Sequence, residues 1–155
     1  MRIRAAREGD LPGLIDLYRE TVHAVGAGHY TREQLAAWAP EDLVPADWAP
    51  RLARNTALVA EDGDTLLGFA ELSPGGALDM LYVHKDHQGR GVATALLGAL
   101  EARARDQGLA RLTTNASRVA RPFFLGRGFT LVASQTVERR GVAIENFRME
   151  KALDA

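Results

Sequence analysis

The chain has 155 residues, of which 46% are hydrophobic, enough for one compact domain over residues 1–155 and too few for a second. Its 19 basic and 20 acidic side chains leave a net charge of -1, so no overall field favours nucleic acid or an anionic membrane. The lack of cysteine excludes disulfides and thiolate chemistry and fits a reducing compartment. We expect a cytoplasmic protein without a leader peptide or a membrane-spanning helix.

The first third of the chain favours helices after one short strand over residues 2–5. Asp10 can cap a helix, and Thr31 with Gln34 forms a capping-box pattern for a second one. Asp47 can cap a third helical turn. The apolar residues of the first helix recur at helical spacing: Leu11, Leu14, Ile15, Tyr18 and Val22.

The remaining two thirds alternate strands with helices. Asp62 and Gly63 predict a tight hairpin between strands over 56–61 and 65–72. A strand, a long helix and a strand follow over 77–83, 91–107 and 111–115, then a short helix over 120–127 and a final strand pair over 129–137 and 142–149. Because a strand–helix–strand crossover joins parallel strands, we predict a mixed α/β (α+β) fold. Its sheet is mostly antiparallel, with one parallel pair, and is flanked by helices.

The segment 79–93 indicates an anion-binding turn, because a strand ends there, glycines follow and a helix begins. Gly89 and Gly91 let backbone N–H groups approach a phosphate, and the helix start adds free donors and the positive end of its dipole. Lys85 and Arg90 supply positive charge. The P-loop and dinucleotide signatures are absent, which makes another type of nucleotide-binding domain the weakest interpretation.

Residues 88–93 read Gln-Gly-Arg-Gly-Val-Ala, and this segment resembles the coenzyme motif of the GNAT superfamily of N-acetyltransferases, Gln/Arg-x-x-Gly-x-Gly/Ala. A second stretch, with Asn115, Ser117, Ala120 and residues 123–129, resembles that family's Asn-x-Ser...Ala...Phe-Tyr-x-x-x-Gly-Phe. The resemblance covers nearly the whole chain and is closest to a largely uncharacterised bacterial subgroup.

The resemblance implies a fold in which the parallel strands splay apart around acetyl-CoA as co-substrate. The pyrophosphate would lie on the amides of the turn, and the pantetheine arm along the end of the first of these strands. The coenzyme-binding residues it implies are Leu81, Tyr82, Val83, Gln88, Gly89, Arg90, Gly91, Val92, Ala93, Thr94, Asn115 and Phe124.

In the family, a backbone N–H at the position of Leu81 stabilises the oxyanion formed from the thioester carbonyl. Direct transfer to an amine also needs a base. We choose Asp79, with Glu71 on the preceding strand as the reserve. Strand alternation predicts that Asp79 shares a sheet face with Leu81. The structural alternative is that Asp79 pairs with a nearby arginine.

Phe124 occupies the place of a tyrosine that protonates the leaving thiolate in many members of the family. This departure leaves the general acid open, with Tyr82 or Ser117 as substitutes. It also motivates an alternative function, a non-catalytic acyl-CoA-binding or regulatory module.

The opening helices and the final strand pair are expected to select a small-molecule amine or an aminoacyl group. Candidate acceptor residues are His23, His29, Tyr30, Trp38 and Asn146, with ordinary packing as the alternative for Tyr30 and Trp38. The four histidines lack metal-ligand spacing, so no metal is expected. Members of the family are often dimers, which makes a homodimer the expected assembly.

Overall fold

The computed structural model describes residues 1–153, which form seven strands and five α-helices. The strands span Arg2–Ala5 (β1), Thr56–Asp62 (β2), Thr65–Leu72 (β3), Ala77–Val83 (β4), Arg111–Ala116 (β5), Thr130–Arg139 (β6) and Val142–Ala152 (β7). The helices span Leu11–Val25 (α1), Arg32–Trp38 (α2), Pro45–Arg54 (α3), Val92–Asp106 (α4) and Arg121–Leu125 (α5).

All seven strands belong to one sheet in the order β1-β2-β3-β4-β5-β7-β6. Every neighbouring pair is antiparallel except β4 and β5, which confirms the predicted mixed sheet. The parallel pairing is limited to Ala77 with Thr113 and Leu78 with Thr114. Beyond these two pairs β4 and β5 diverge, so the sheet opens at its centre.

The sheet separates two clusters of buried side chains. On one face, α4 packs through Leu96, Leu97 and Leu100 onto alternate residues of the central strands. On the other face, α1, α2 and α3 cover a cluster that includes Phe69 and Trp48. The interrupted parallel pair therefore lies between two packed layers, and any groove between its strands can be reached from the α1–α3 side.

The helical first third confirms one of the three predicted caps. Thr31 and Gln34 form the reciprocal capping box at the start of α2. Helix α1 begins directly after Asp10, but the Asp10 side chain makes no capping hydrogen bond to it and accepts from Arg4 and from the Arg7 N–H instead. The prediction for Asp47 is wrong, because α3 begins at Pro45 with Val44 as its N-cap. Asp47 is the third helical residue and accepts a hydrogen bond from the Val44 N–H at 2.9 Å. Pro45 starts the helix three residues earlier than a cap at Asp47 would, since its fixed φ suits the first helical position.

The closing hairpin is longer than predicted and turns at Arg140 and Gly141, whose φ angles are +50° and +78°. Two successive positive φ angles match the twist of a two-residue hairpin turn. Arg139 pairs with Val142, and the ladder runs back to Gln135 paired with Asn146. The turn therefore fixes which side chains of β6 and β7 are neighbours.

Candidate active site

A cleft of about 690 Å³ lies over the opening between β4 and β5, on the face covered by α1, α2 and α3. Aromatic side chains form much of its wall: Tyr18, Tyr30, Trp38, Trp48 and Tyr82. Its charged and carboxamide side chains come from four strands and one helix: Arg51, Asp79, Asn115, Arg139, Asn146, Arg148 and Glu150. The sequence therefore brings chemistry-bearing residues from many segments to one cavity.

The glycine turn between β4 and α4 presents a run of free donors. Gly89 and Gly91 have φ angles of +73° and +79°, and no atom of residues 1–153 lies within 4 Å of a Cβ built at either position. None of the backbone N–H groups of residues 89–94 donates to an acceptor in residues 1–153. Six successive unpaired amides at a helix start suit a phosphate or pyrophosphate.

The side chain of Gln88 holds this turn in place. Its Nε2 donates to the carbonyl of Val83 at 2.6 Å, and the same carbonyl accepts from the Thr21 hydroxyl at 3.2 Å. Gln88 thus fastens the turn to the end of β4, and Thr21 fastens the same strand end to α1.

Positive charge surrounds the same turn. Lys85 lies beside Asp86 at 3.4 Å, and the guanidinium of Arg90 is 3.3 Å from the ring of His87. Arg127, which the sequence analysis did not single out, donates to the Thr94 hydroxyl at 2.7 Å. Arg127 thereby brings a guanidinium to the first turn of α4.

The backbone of Leu81 points toward the opening in the sheet. The His84 N–H donates to the Leu67 carbonyl at 2.7 Å, and the antiparallel register places Leu81 opposite Ala70. Because hydrogen-bonded pairs alternate along such a ladder, Leu81 is directed away from β3. Its N–H therefore faces the gap where β5 has diverged.

Asp79 lies at an irregularity in β4. Glu71 pairs with Met80 while Leu72 pairs with Leu78, so Asp79 has no partner in the ladder. Asp79 lines the cleft, whereas Leu81 packs against the α4 cluster. The prediction that these two share a face is wrong, because the extra residue of the bulge breaks the alternation.

Glu71 is bound within the protein. Its carboxylate accepts from Arg51 at 2.9 and 3.3 Å and from Asn55 at 3.3 Å, and the residue is 3% exposed. Asn55 also donates to Asp79 at 3.0 Å. Asp79 is exposed to the cleft, so of the two candidate bases it is the one placed to meet a ligand.

Three carboxamides form a network on the opposite wall. The Gln135 Nε2 donates to the Oδ1 atoms of Asn115 at 3.1 Å and Asn146 at 2.9 Å. Gln135 was not singled out from the sequence, although the two-residue turn at Arg140 already implies that it pairs with Asn146. The network joins a residue expected to bind the coenzyme with one expected to bind the acceptor.

With this geometry established, comparison with known proteins decides the family. A model of the acetyltransferase (GNAT) domain matches residues 27–153. The chain belongs to the GNAT acetyltransferase family.

Similar proteins share this family over almost their whole length. The uncharacterized N-acetyltransferase YafP of Escherichia coli K12 is 34% identical over 149 residues, which are 96% of this chain and 94% of that protein. The GCN5-related N-acetyltransferase of Rhodopseudomonas palustris is also 34% identical, with a TM-score of 0.94 over 98% of this chain and 95% of that one. The PaiA N-acetyltransferase of Thermoplasma acidophilum, solved in complex with coenzyme A, is 24% identical with a TM-score of 0.82 over 97% of this chain and 98% of that one.

Phe124, at the position of the family tyrosine, lies in the core. It is 3% exposed and meets the rings of Phe123 and Phe129 edge-on, at centroid distances of 5.4 and 5.0 Å. A phenyl ring in this GNAT domain has no proton to donate, so position 124 contributes packing between α5 and the sheet.

The buried tyrosines of the cleft remain protonated at neutral pH. Burial raises the pKa of Tyr82 to about 12, and burial likewise raises the pKa values of Tyr18 and Tyr30. The Tyr18 hydroxyl donates to the Trp38 carbonyl at 3.0 Å. These groups therefore act in the cleft as aromatic surface and hydrogen-bond donors.

The loop before α2 is anchored to the end of β5. The Tyr30 hydroxyl donates to the Glu145 carbonyl at 2.7 Å and accepts from the Arg118 N–H at 3.0 Å. Arg118 also donates to the carbonyl of His29 and stacks over the Tyr30 ring at 4.7 Å. His29 does not line the cleft, whereas Tyr30, Trp38 and Asn146 do.

In residues 1–153, no group of three or more His, Asp or Glu side chains converges as metal ligands would. Over the same residues, no helix is both long enough and apolar enough to span a membrane.

Proposed function

We propose that this protein is an acetyl-CoA-dependent N-acetyltransferase that moves an acetyl group directly to a primary amine of a small molecule or an aminoacyl group. The observation that carries the proposal is the run of six unpaired amides over residues 89–94 beside the gap between β4 and β5. The cleft that contains Asp79 lies over the same gap. Asp79 lies within β4 and the free amides follow the end of β4, so this strand connects the base with the anion site.

The residues present fit the coenzyme. Acetyl-CoA supplies an acetyl group activated as a thioester. The amides of residues 89–94 would bind its pyrophosphate, with Arg90 and Arg127 nearby as cations. The Leu81 N–H, which faces the gap, is directed where it can donate to the thioester carbonyl; donors of this kind contribute roughly 3 kcal/mol to catalysis.

Asp79 would accept the proton that the amine loses. Its carboxylate is exposed to the cleft and is held by the Asn55 amide at 3.0 Å, so its orientation is fixed without an arginine partner. Glu71 is committed to Arg51 and would hold α3 in place. This division of roles leaves one carboxylate of the pair available for proton transfer.

The leaving thiolate would depart without a tyrosine acid. The pKa of Tyr82, about 12, lies above the value of about 8.5 for a thiol, so proton transfer from this phenol to a thiolate is unfavourable. The Ser117 hydroxyl accepts from the Ala120 N–H at 3.1 Å, which supports the capping role. A thiolate of ordinary basicity leaves well enough for solvent to protonate it.

The test is release of free thiol from acetyl-CoA by the purified protein, over a panel of small amines, amino acids, polyamines and aminoacyl compounds. Coenzyme affinity is measured in parallel by calorimetry. Turnover with at least one amine, together with coenzyme binding, supports the proposal. Tight coenzyme binding without turnover over the whole panel would instead favour the non-catalytic acyl-CoA-binding module.

A further inference from the structure

One wall of the cleft consists of hydrogen-bond donors that have no acceptor within residues 1–153. Gln135 donates to the Oδ1 atoms of both Asn115 and Asn146, so the Nδ2 group of each asparagine is turned away from Gln135. In residues 1–153 neither Nδ2 group donates to another side chain or carbonyl. We call Asn115, Asn146 and Arg148 the donor wall.

Arg148 is the charged member of the donor wall. It pairs with Asn115 in the β5–β7 ladder and lines the cleft. Over the described part of the chain its guanidinium forms no ion pair or hydrogen bond. Glu150, the next residue on that face of β7, lies 3.5 Å from Arg111 instead. A free guanidinium beside two free amides is a binding group for a carboxylate, which accepts several hydrogen bonds at once.

The opposite wall has the complementary charge. Asp79 follows Leu78, the last β4 residue paired with β5, and Asn115 holds the corresponding position on β5, so the two lie on either side of the start of the gap. A ligand with an amine at Asp79 and an anion at the donor wall would match both sides of the cleft. This charge separation distinguishes an amine that also carries a carboxylate from a simple amine or a polyamine.

We infer that the acceptor is an amine bearing a carboxylate, as in a free amino acid, and that the donor wall binds this carboxylate. The inference rests on the proposed function and names its substrate class. Gln135 is a positioning residue, because its amide sets which ends of Asn115 and Asn146 face the ligand.

The first experiment uses amine pairs that differ only in the carboxylate: phenylalanine with phenethylamine, tryptophan with tryptamine, and leucine with isoamylamine. We expect kcat/KM for thiol release to be roughly 10-fold or more higher with the amino acid of at least one pair, since a charged hydrogen bond is lost in its partner. Arg148→Gln removes this preference by raising KM for the amino acid. The control is Arg140→Gln, because Arg140 pairs with Asp42 outside the cleft. This variant should keep the preference for the amino acid.

The second variant addresses Gln135. In Gln135→Glu the side chain can only accept, so Asn115 and Asn146 turn their NH₂ groups toward it and present oxygen to the cleft. We expect the ratio of kcat/KM for the amino acid to kcat/KM for the amine lacking a carboxylate to fall toward one in this variant, while its melting temperature stays close to wild type. A merely structural role would lower turnover of both members of a pair alike.

A binding measurement separates this inference from the proposed function. Calorimetry on the protein saturated with CoA compares N-acetylphenylalanine, N-acetyltryptophan and N-acetylleucine with the corresponding acetylated amines. Selective binding of an acetylated amino acid, lost in Arg148→Gln, supports the inference. If this binding is seen but no amine is turned over, the proposed function fails while the inference about the donor wall stands. Equal or better binding and turnover of the amines lacking a carboxylate, or no selective binding of either kind, overturns the inference.

Discussion

Gly91 shows how a single residue serves the coenzyme turn. Its φ of +79° is a conformation that other residues adopt only with strain. The space around it is also open, because no atom of the described residues lies within 4 Å of a Cβ built there. A methyl group at this position would project into the space that the six amides leave for an anion.

We predict that Gly91→Ala lowers CoA affinity by about 10-fold or more and lowers the free energy of unfolding by about 1 kcal/mol, since the backbone is strained and the anion site is narrowed. Calorimetric titration with CoA and denaturant unfolding measure the two effects. Gly63→Ala is the matched control: its φ is +57°, it has open space around it, and it lies in the β2–β3 hairpin. Equal loss of affinity in both variants would show that the turn at Gly91 is not a coenzyme site.

At the scale of the elements, α3 is attached to the sheet by a charge pair. Arg51 lies over the Trp48 ring at 4.8 Å and donates to Glu71 on β3. The Glu71 side chain is 4% exposed and that of Arg51 is 21% exposed. Removing one partner of such a pair leaves an uncompensated buried charge, which is more harmful than removing both.

We therefore predict that Arg51→Met lowers the free energy of unfolding by about 3 kcal/mol, because Glu71 keeps its burial and loses its main donor. The double variant Arg51→Met with Glu71→Gln should regain a large part of that loss. Urea unfolding of the wild type, both single variants and the double variant forms the thermodynamic cycle. Additive losses in the double variant would contradict the assignment of this pair.

The elements also mark the boundary of what the sequence predicts. The bounds of β1 and β4, the hairpin at Gly63 and the capping box at Thr31 depend on neighbouring residues, and all of them are confirmed. The face of Asp79 depends on a bulge created by pairing between β3 and β4. The alternation of side chains along a strand, which the sequence predicts, gives no sign of the extra residue that the bulge adds to β4.

At the scale of the whole molecule, one part of the site can be predicted from the sequence and the other part cannot. The coenzyme turn is one continuous segment, so its glycines identify it in the sequence. The cleft is assembled from α1, α2, α3 and strands β4 to β7, and Gln135, Arg148 and Asn55 acquire their roles only through contacts between distant segments. Their positions on β6, β7 and the end of α3 carry no motif that would single them out.

The Arg4–Asp10 ion pair makes the stability of the whole fold depend on pH. Arg4 donates to both oxygens of Asp10 at 2.8 Å, and this contact holds the pKa of Asp10 below its usual range. A carboxyl whose pKa is lowered on folding stabilises the fold at pH values above its unfolded-state pKa of about 3.9. This contribution is lost as the pH falls through its folded-state pKa.

We predict that Asp10→Asn is less stable than wild type at neutral pH and that the difference shrinks as the pH falls below about 4. Urea unfolding at several pH values measures it. Asp16→Asn is the control, because Asp16 is mostly exposed and, among the residues that the structure describes, pairs only with Arg19. A difference that stays constant down to the lowest pH would contradict the role of the Arg4–Asp10 pair.

The measurement that tests the central claim most directly is steady-state thiol release from acetyl-CoA by Asp79→Asn, with the best amine of the panel and CoA affinity measured on the same preparation. Because the amide cannot accept the proton, we predict a fall in kcat of about 100-fold or more with unchanged CoA affinity. Glu150→Gln, which alters another carboxylate of the cleft, should keep most of its turnover. Full activity in Asp79→Asn would contradict the account, since the exposed carboxylate beside the opening would then have no part in the transfer.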